Sequence, residues 1–268
     1  MARTMFKRTL WFLILVVACK RSAPGSEATR SSSGSAEHIA VPSAAEHPAV
    51  PAAATASTDL PIDPQKPPPE ASLSTSATLQ LAKPAMVVVD GRADLYSSGM
   101  TAADLPRGGQ LPALLTLAPG GGHVAFSNVK GASGCMGGDA TPADGGDCVS
   151  RDTKVRAADG ISGIVNHQHS MFLAGVFLGP QRSTEAPPTL DFSENALGEA
   201  FAELSPRIAQ TFFIGNGLTP SGATQRFVIP DGATRLFLGY ADAPFFQGSP
   251  GAYDDNAGGL HVTATQQK

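Results

Sequence analysis

"TRLFLGYAD", residues 234–242, decides the fold. Leu236, Phe237, Leu238 and Tyr240 form an apolar, aromatic run bounded by Gly232 on one side and Asp242 on the other. A run this short, rich in aromatics and closed by turn formers, reads as a β-strand. The same pattern recurs on both sides of it. "AMVVVDG" (85–91), "HVAFSNV" (123–129), "MFLAGVFLG" (171–179), "TFFIGNG" (211–217), "QRFVIP" (225–230) and "LHVTAT" (260–265) are short apolar segments separated by Gly, Pro, Asn and Asp. No strand–helix alternation appears, so the pattern predicts an all-β sandwich or barrel and argues against an α/β enzyme core.

One segment departs from this rhythm. "SENALGEAFAEL", 193–204, spaces Leu197, Phe201 and Leu204 at helical intervals, and Ser193 is placed to cap the first turn. The spacing predicts a short inserted helix ending before Pro206, with an irregular loop as the alternative.

Before residue 79 the chain is of another kind. Arg3, Lys7 and Arg8 precede the apolar "LWFLILVVA" (10–18), which is too short to span a bilayer and reads as the core of a targeting signal. It runs into "VVAC", which resembles the lipobox of bacterial lipoproteins. That resemblance implies a signal peptide over 1–18, acylation of Cys19 and a mature chain beginning there. Lys20 follows, so the Asp that marks inner-membrane retention is absent, and the outer membrane is the expected location. Residues 19–78 are dominated by Ala, Pro, Ser and Thr, and no aromatic residue stands between Phe12 and Tyr96. Such a segment buries too little apolar area to offset its ordering entropy and is expected to be a disordered tether. As a flexible coil it would average about 40 Å end to end. Residues 79–268 then make one domain.

Export has two chemical consequences. Calcium is available outside the cytoplasm, and disulfides form there. Cys135 and Cys148 are the only cysteines after Cys19 and are expected to pair. The formal net charge of −4, with no basic run outside the signal, argues against nucleic acid as a partner.

Chemistry concentrates near the C-terminus. "GAYDDNAGG" (251–259) packs Asp254, Asp255 and Asn256 into one Gly-bounded loop, with Asp242 where the preceding strand ends. Hard cations take roughly six to eight oxygens from carboxylates, amides and carbonyls. Asp242, Asp255, Asn256 and nearby carbonyls are such a set, whereas a solvated turn is the simpler alternative. If 234–242 and 258–264 pair as neighbouring strands, this loop hangs at one end of the sheet.

"LFLGYADA…GAYDDNAGGLHVTA" resembles the C-terminal signature of the PA-IL family of galactophilic lectins. In that family a Tyr-x-Asp strand end is followed by a Gly-x-Tyr loop carrying an acid or amide, then Asn and Gly. The resemblance spans 84–265 and is concentrated in 227–265. It implies a jelly-roll-like β-sandwich and a calcium ion held by Asp242, Asp255, Asn256 and the Ala252 carbonyl. A further carbonyl would come from near Gly134–Cys135. Sugar hydroxyls would complete the ion's shell, so the implied partner is a carbohydrate, galactose-like or another polyol. Arg156 and Asp159, in "RAADG", fall where the lectins carry a His and a Gln, and are candidate ligand-binding residues with Asp242, Asp255 and Asn256. These replacements leave the calcium logic intact and remove the basis for galactose selectivity. Segments 136–147 and 180–209 would cover or rebuild the sugar pocket.

Other candidates carry less. His167 and His169 in "NHQHSM" alternate as on one strand face, without an evident third zinc ligand. Asp139, Asp144 and Asp147 offer a second calcium loop or only an acidic turn. No G-x-S-x-G, H-E-x-x-H or P-loop is present. The expectation is a non-catalytic, membrane-anchored, calcium-dependent carbohydrate-binding protein. The alternatives are a module whose calcium is purely structural and a glycan hydrolase.

Overall fold

A computed structural model describes residues 79–80, 83–136 and 140–268. The signal, Cys19 and the tether lie outside the described residues. The domain is an all-β sandwich. One sheet has the order β1 (Leu79–Gln80), β3 (Ala113–Thr116), β12 (Arg235–Gly239), β7 (Ala174–Leu178), β10 (Thr211–Phe213). The second has the order β2 (Ala85–Asp90), β14 (Ala257–Gln267), β4 (His123–Gly134), β11 (Arg226–Val228), β9 (Glu203–Leu204). A smaller sheet runs β13 (Gln247–Gly248), β5 (Thr153–Val155), β6 (Ile164–Asn166), β8 (Leu190–Asp191).

All seven strand-like segments form strands. Burial follows from position in the sheets. β2 alternates buried and exposed residues, with Val87 and Val89 inward and Met86 and Val88 outward. That is the period-2 pattern of a strand with one wet face. β7 is buried throughout, so both of its faces are covered. The two large sheets meet through aromatic rings. Phe212 of β10 lies 5.2 Å from Phe227 of β11, and Phe227 meets Phe126 of β4 edge-on at 5.3 Å. These offset and edge contacts are the arrangements aromatic quadrupoles favour.

The helix expected over 193–204 does not form. Ala196 and Gly198 donate backbone N–H groups to Ser193, and Gly198 then takes φ +64°, ending the turn. Beyond it the chain is extended because other elements satisfy its backbone. Gln225 Nε2 donates to the carbonyls of Glu199 and Phe201, Arg226 N–H donates to Ala202, and Leu204 pairs in register with Phe227. Leu197 is left largely exposed, whereas Phe201 packs on Phe192 and Phe227. Helical spacing was a coincidence that tertiary hydrogen bonds overrode.

The expected pairing of 234–242 with 258–264 is also corrected. β12 pairs with β3 and β7, whereas β14 pairs with β2 and β4. The segment between them crosses from one sheet to the other at one end of the sandwich. Its return is tight. Gly258 has φ +80°, and a Cβ there would lie 2.3 Å from the Ala132 carbonyl oxygen of β4.

Candidate functional site

The crossing segment is held by two tyrosines. Tyr253 is fully buried, and its hydroxyl donates to the Tyr240 carbonyl and accepts from the Asp242 N–H, both at 3.1 Å. Tyr240 in turn reaches Ser133 Oγ at 2.5 Å, just before the end of β4. Asp242 O accepts from Gly251 N–H at 3.0 Å. Ala257 opposes Gly134, which sets Asn256 beside the β4 end. Three strand ends therefore converge: Asp242 after β12, Asn256 before β14, and Cys135 after β4.

These ends surround a cavity of about 190 Å³ lined by Cys135, Asp242, Ala252 and Asp255 together with apolar side chains. The structure thus brings Asp242, Ala252 and Asp255 to one cavity, with Asn256 hydrogen-bonded to Asp242 beside it. Asp242 is 2% exposed and Asn256 5%. Asp242 Oδ1 accepts from Ala243 N–H at 2.7 Å, and its Oδ2 accepts from Asn256 Nδ2 at 2.7 Å. Asn256 Oδ1 is buried with no hydrogen-bond partner. A buried amide oxygen left unpaired is uncommon. Burial pushes the Asp242 carboxyl up to about 7, against the lowering effect of its two hydrogen bonds, with Asp255 and Asp94 adding repulsion. A cation reverses that balance by favouring the ionised form.

The donor set fits a hard cation. Asp242 and Asp255 offer two carboxylates, Ala252 and Cys135 lie on the same lining, and the Asn256 amide adjoins Asp242. Among the described residues no three His, Cys, Asp or Glu side chains gather as a metal group, so any ion here depends on amide and carbonyl oxygens as well. Calcium accepts such ligands, whereas zinc prefers nitrogen and sulfur. Asp254 is exposed, turned against Gly108 and away from the cavity lining.

Arg156 and Asp159 are not part of the lining. Arg156 is exposed and joins the crossing segment only through its backbone N–H, which donates to Gly248 O at 2.7 Å. Asp159 is taken by Arg107, whose Nη1 lies 2.7 Å from Asp159 Oδ2 and whose Nε lies 2.8 Å from the buried Asp94. Asp94 also accepts from Tyr96 N–H and Ser97 Oγ. Arg107 thus ties Asp94 to Asp159, and sequence reasoning missed this link because Arg107 stands 13 positions from Asp94 and 52 from Asp159.

Cys135 and Cys148 are bonded, as expected. His167 and His169 do not share a strand face. They follow β6 in an Asx turn in which Asn166 Oδ1 accepts from the N–H groups of Gln168 and His169. His167 contacts Asp152, and His169 Nδ1 lies 2.9 Å from Glu199 Oε1, so each has its own acid. Asp144 accepts from Asn216 N–H and Nδ2, and Asp147 pairs with Arg151, which separates two members of the second candidate calcium loop. Asp139 lies outside the described residues.

Comparison with protein-family models, with curated proteins and with solved structures finds no match to this chain.

Proposed function

We propose that the domain binds carbohydrate through a calcium ion held by Asp242, Asp255, Asn256 and the backbone of Ala252, on a protein anchored to the membrane through Cys19. The observation that carries this reading is the buried, unpartnered Asn256 Oδ1 beside the buried Asp242 carboxylate. Two carboxylates in contact with a cavity, plus an amide oxygen without a donor, are chemically suited to a hard cation. Vicinal hydroxyls of a sugar are suited to the ion's remaining positions. The cavity is smaller than the roughly 300–1,000 Å³ of clefts that engulf drug-sized ligands, so it suits the edge of one sugar ring.

A second reading is favoured by the convergence of three strand ends on Asp242. There the ion only staples the sheets together, and no sugar binds. A glycan array probed with the chain from residue 20 onward, in calcium and in chelator, separates the two. Calcium-dependent retention on glycans supports the first, and calcium-dependent stability without retention supports the second. Anchoring is tested by mass spectrometry of the mature N-terminus and by Cys19→Ala, which should release the protein from membranes, since multiple acyl chains hold where one does not.

A further inference from the structure

β12 begins at Arg235 and ends before Asp242. Along the strand direction the two residues stand about 20 Å apart, so Arg235 lies at the far end from the proposed cation site. Its Nε and Nη2 donate to the Gly179 carbonyl at 3.0 and 2.5 Å, just past the end of β7. Its guanidinium sits over the Phe237 ring, 5.4 Å from the centroid. Arg235 opposes Leu178 in register, so the two side chains share a face of the sheet, and Phe237 shares it too. Phe177, which stacks on Phe212, points to the other face.

A second guanidinium reaches the same place. Arg182 follows soon after β7, and its stem lies on bare backbone. A Cβ at Gly99 would come within 2.9 Å of Arg182 Cγ and 3.4 Å of Leu178 Cδ1. Gly99 also takes φ +76°, so both the space and the backbone there call for glycine. Arg182 Nη2 donates to the Asp159 carbonyl at 2.9 Å, whereas its Nε is buried without an acceptor.

Two cations are thus held over Leu178 by carbonyls. Among the described residues neither forms an ion pair with a carboxylate. Asp159 gives Arg182 its carbonyl, but its carboxylate is committed to Arg107. Burial first, and then repulsion from Arg182, hold the Arg235 guanidinium below the ordinary arginine range. Like charges placed together cost free energy that a bound counterion removes. The Nη1 groups of both arginines make no hydrogen bond within the described residues and remain as donors.

We propose that Arg182 and Arg235 form a binding site for a doubly charged tetrahedral oxyanion, the chemistry of a phosphate monoester. Two fixed guanidiniums match two negative charges, and the planar fork of arginine suits phosphate oxygens. A carboxylate, with a single charge, would leave half of the pair unbalanced. The site stands apart from Asp242 and does not depend on the calcium or carbohydrate reading.

The test is thermal unfolding and calorimetry of the full chain with inorganic phosphate above neutral pH, at constant ionic strength, beside sulfate and acetate. Phosphate and sulfate should bind and raise the melting temperature, and acetate should not. Arg182→Gln and Arg235→Gln should each weaken phosphate binding by about tenfold or more, the loss of one charge-assisted pair. Arg182→Lys should recover part of the affinity, because it keeps the charge and loses the fork. Circular dichroism checks that the variants fold; if Arg235→Gln does not, Arg182→Gln and Arg182→Lys decide. Vesicles of phosphatidic acid in phosphatidylcholine, against phosphatidylcholine alone, separate the sources of the phosphate. Arginine-dependent retention on the first assigns the site to a lipid headgroup. No such retention, with free phosphate still bound, assigns it to a soluble phosphate, and both results sustain the site. No response to phosphate, a response matched by acetate, or a response kept in the folded Gln variants would overturn it.

Discussion

Asn256 donates its Nδ2 to Asp242 Oδ2 at 2.7 Å, and this bond joins the end of β12 in one sheet to the start of β14 in the other. The residues are fourteen positions apart, and the segment between them supplies Ala252, Asp255 and Phe245. The bond uses the amide's only nitrogen and leaves its oxygen buried without a donor. Both groups are thus held in place before any ligand arrives, which lowers the ordering that binding would require.

The first prediction follows from that pair. Calcium at a hundredfold excess over its dissociation constant should stabilise the domain by about 2.7 kcal/mol. Asp242→Asn should abolish the stabilisation. In chelator near neutral pH, the same variant should melt at or above the wild type, because a neutral amide avoids a buried charge. A flip of Asn256 would also let its Oδ1 accept from the new amide. Asp254→Ala should keep the full calcium response, since Asp254 stands against Gly108. Scanning calorimetry of the three proteins with calcium and with chelator is the check. A calcium shift retained in Asp242→Asn would remove Asp242 from the ligand set.

A second prediction concerns the aromatic seam between the sheets. Phe227 meets Phe126, Phe201 and Phe212 with centroids 5.2 to 5.8 Å apart. Phe227→Ala should destabilise by about 3–5 kcal/mol through lost burial and a residual cavity. Phe227→Leu should lose less, because it fills most of the same space. Equilibrium unfolding in urea measures both. Equal, small losses would mean that the seam relaxes freely.

A pH dependence follows from His169. Its hydrogen bond to Glu199 holds its pKa above the ordinary histidine value, against burial, with nearby Asp144 assisting and Arg151 opposing. The folded state therefore binds this proton more tightly than the unfolded chain. The resulting stabilisation is fully present below the unfolded histidine pKa of about 6.5 and is lost as pH rises through the higher folded value. Because Glu199 belongs to the 193–204 segment, that segment should lose protection from hydrogen exchange as pH rises through this window. His169→Asn should flatten the profile. A profile unchanged by the substitution would assign the pH dependence to other groups.

The strands were legible because each is a compact apolar run between turn formers, and seven such runs became β2, β4, β7, β10, β11, β12 and β14. Their partners were not, since periodicity reports which face is buried and not which strand lies alongside. β5 (Thr153–Val155) and β13 (Gln247–Gly248) are too short to show a period. The false helix at 193–204 arose because the hydrogen bonds that keep it extended come from Gln225 and Arg226, more than twenty residues away. Within the site, Asp242, Asp255 and Asn256 were visible as candidate oxygen donors in a Gly-rich context. The apolar part of the cavity lining was not, because nothing about Met136, Val149 or Phe245 as residue types signals a left-handed backbone. The fourteen residues between Asp242 and Ala257 gave only one hint of it, the paired Phe245 and Phe246.

The last prediction couples the disulfide to the cation site. Cys135 lines the cavity, and its bond to Cys148 closes a loop with a sequence separation of 13. In the chain-entropy picture a loop of this size contributes about 3 kcal/mol through the unfolded state. The Cys135→Ser, Cys148→Ser double variant should lose stability of that order. It should also respond less to calcium, because the backbone beside the ion is then free to sample other conformations. Binding linkage makes the effect reciprocal: whatever affinity calcium loses on breaking the bond, the intact bond gains in apparent stability when calcium is present. The experiment is a two-by-two comparison of wild type and double variant, each with calcium and with chelator, by calorimetry. A calcium shift smaller in the double variant demonstrates the coupling. Equal shifts, with only a uniform loss of stability, would show that the disulfide supports its own loop without positioning the cation ligands, and would confine those ligands to Asp242, Ala252, Asp255 and Asn256.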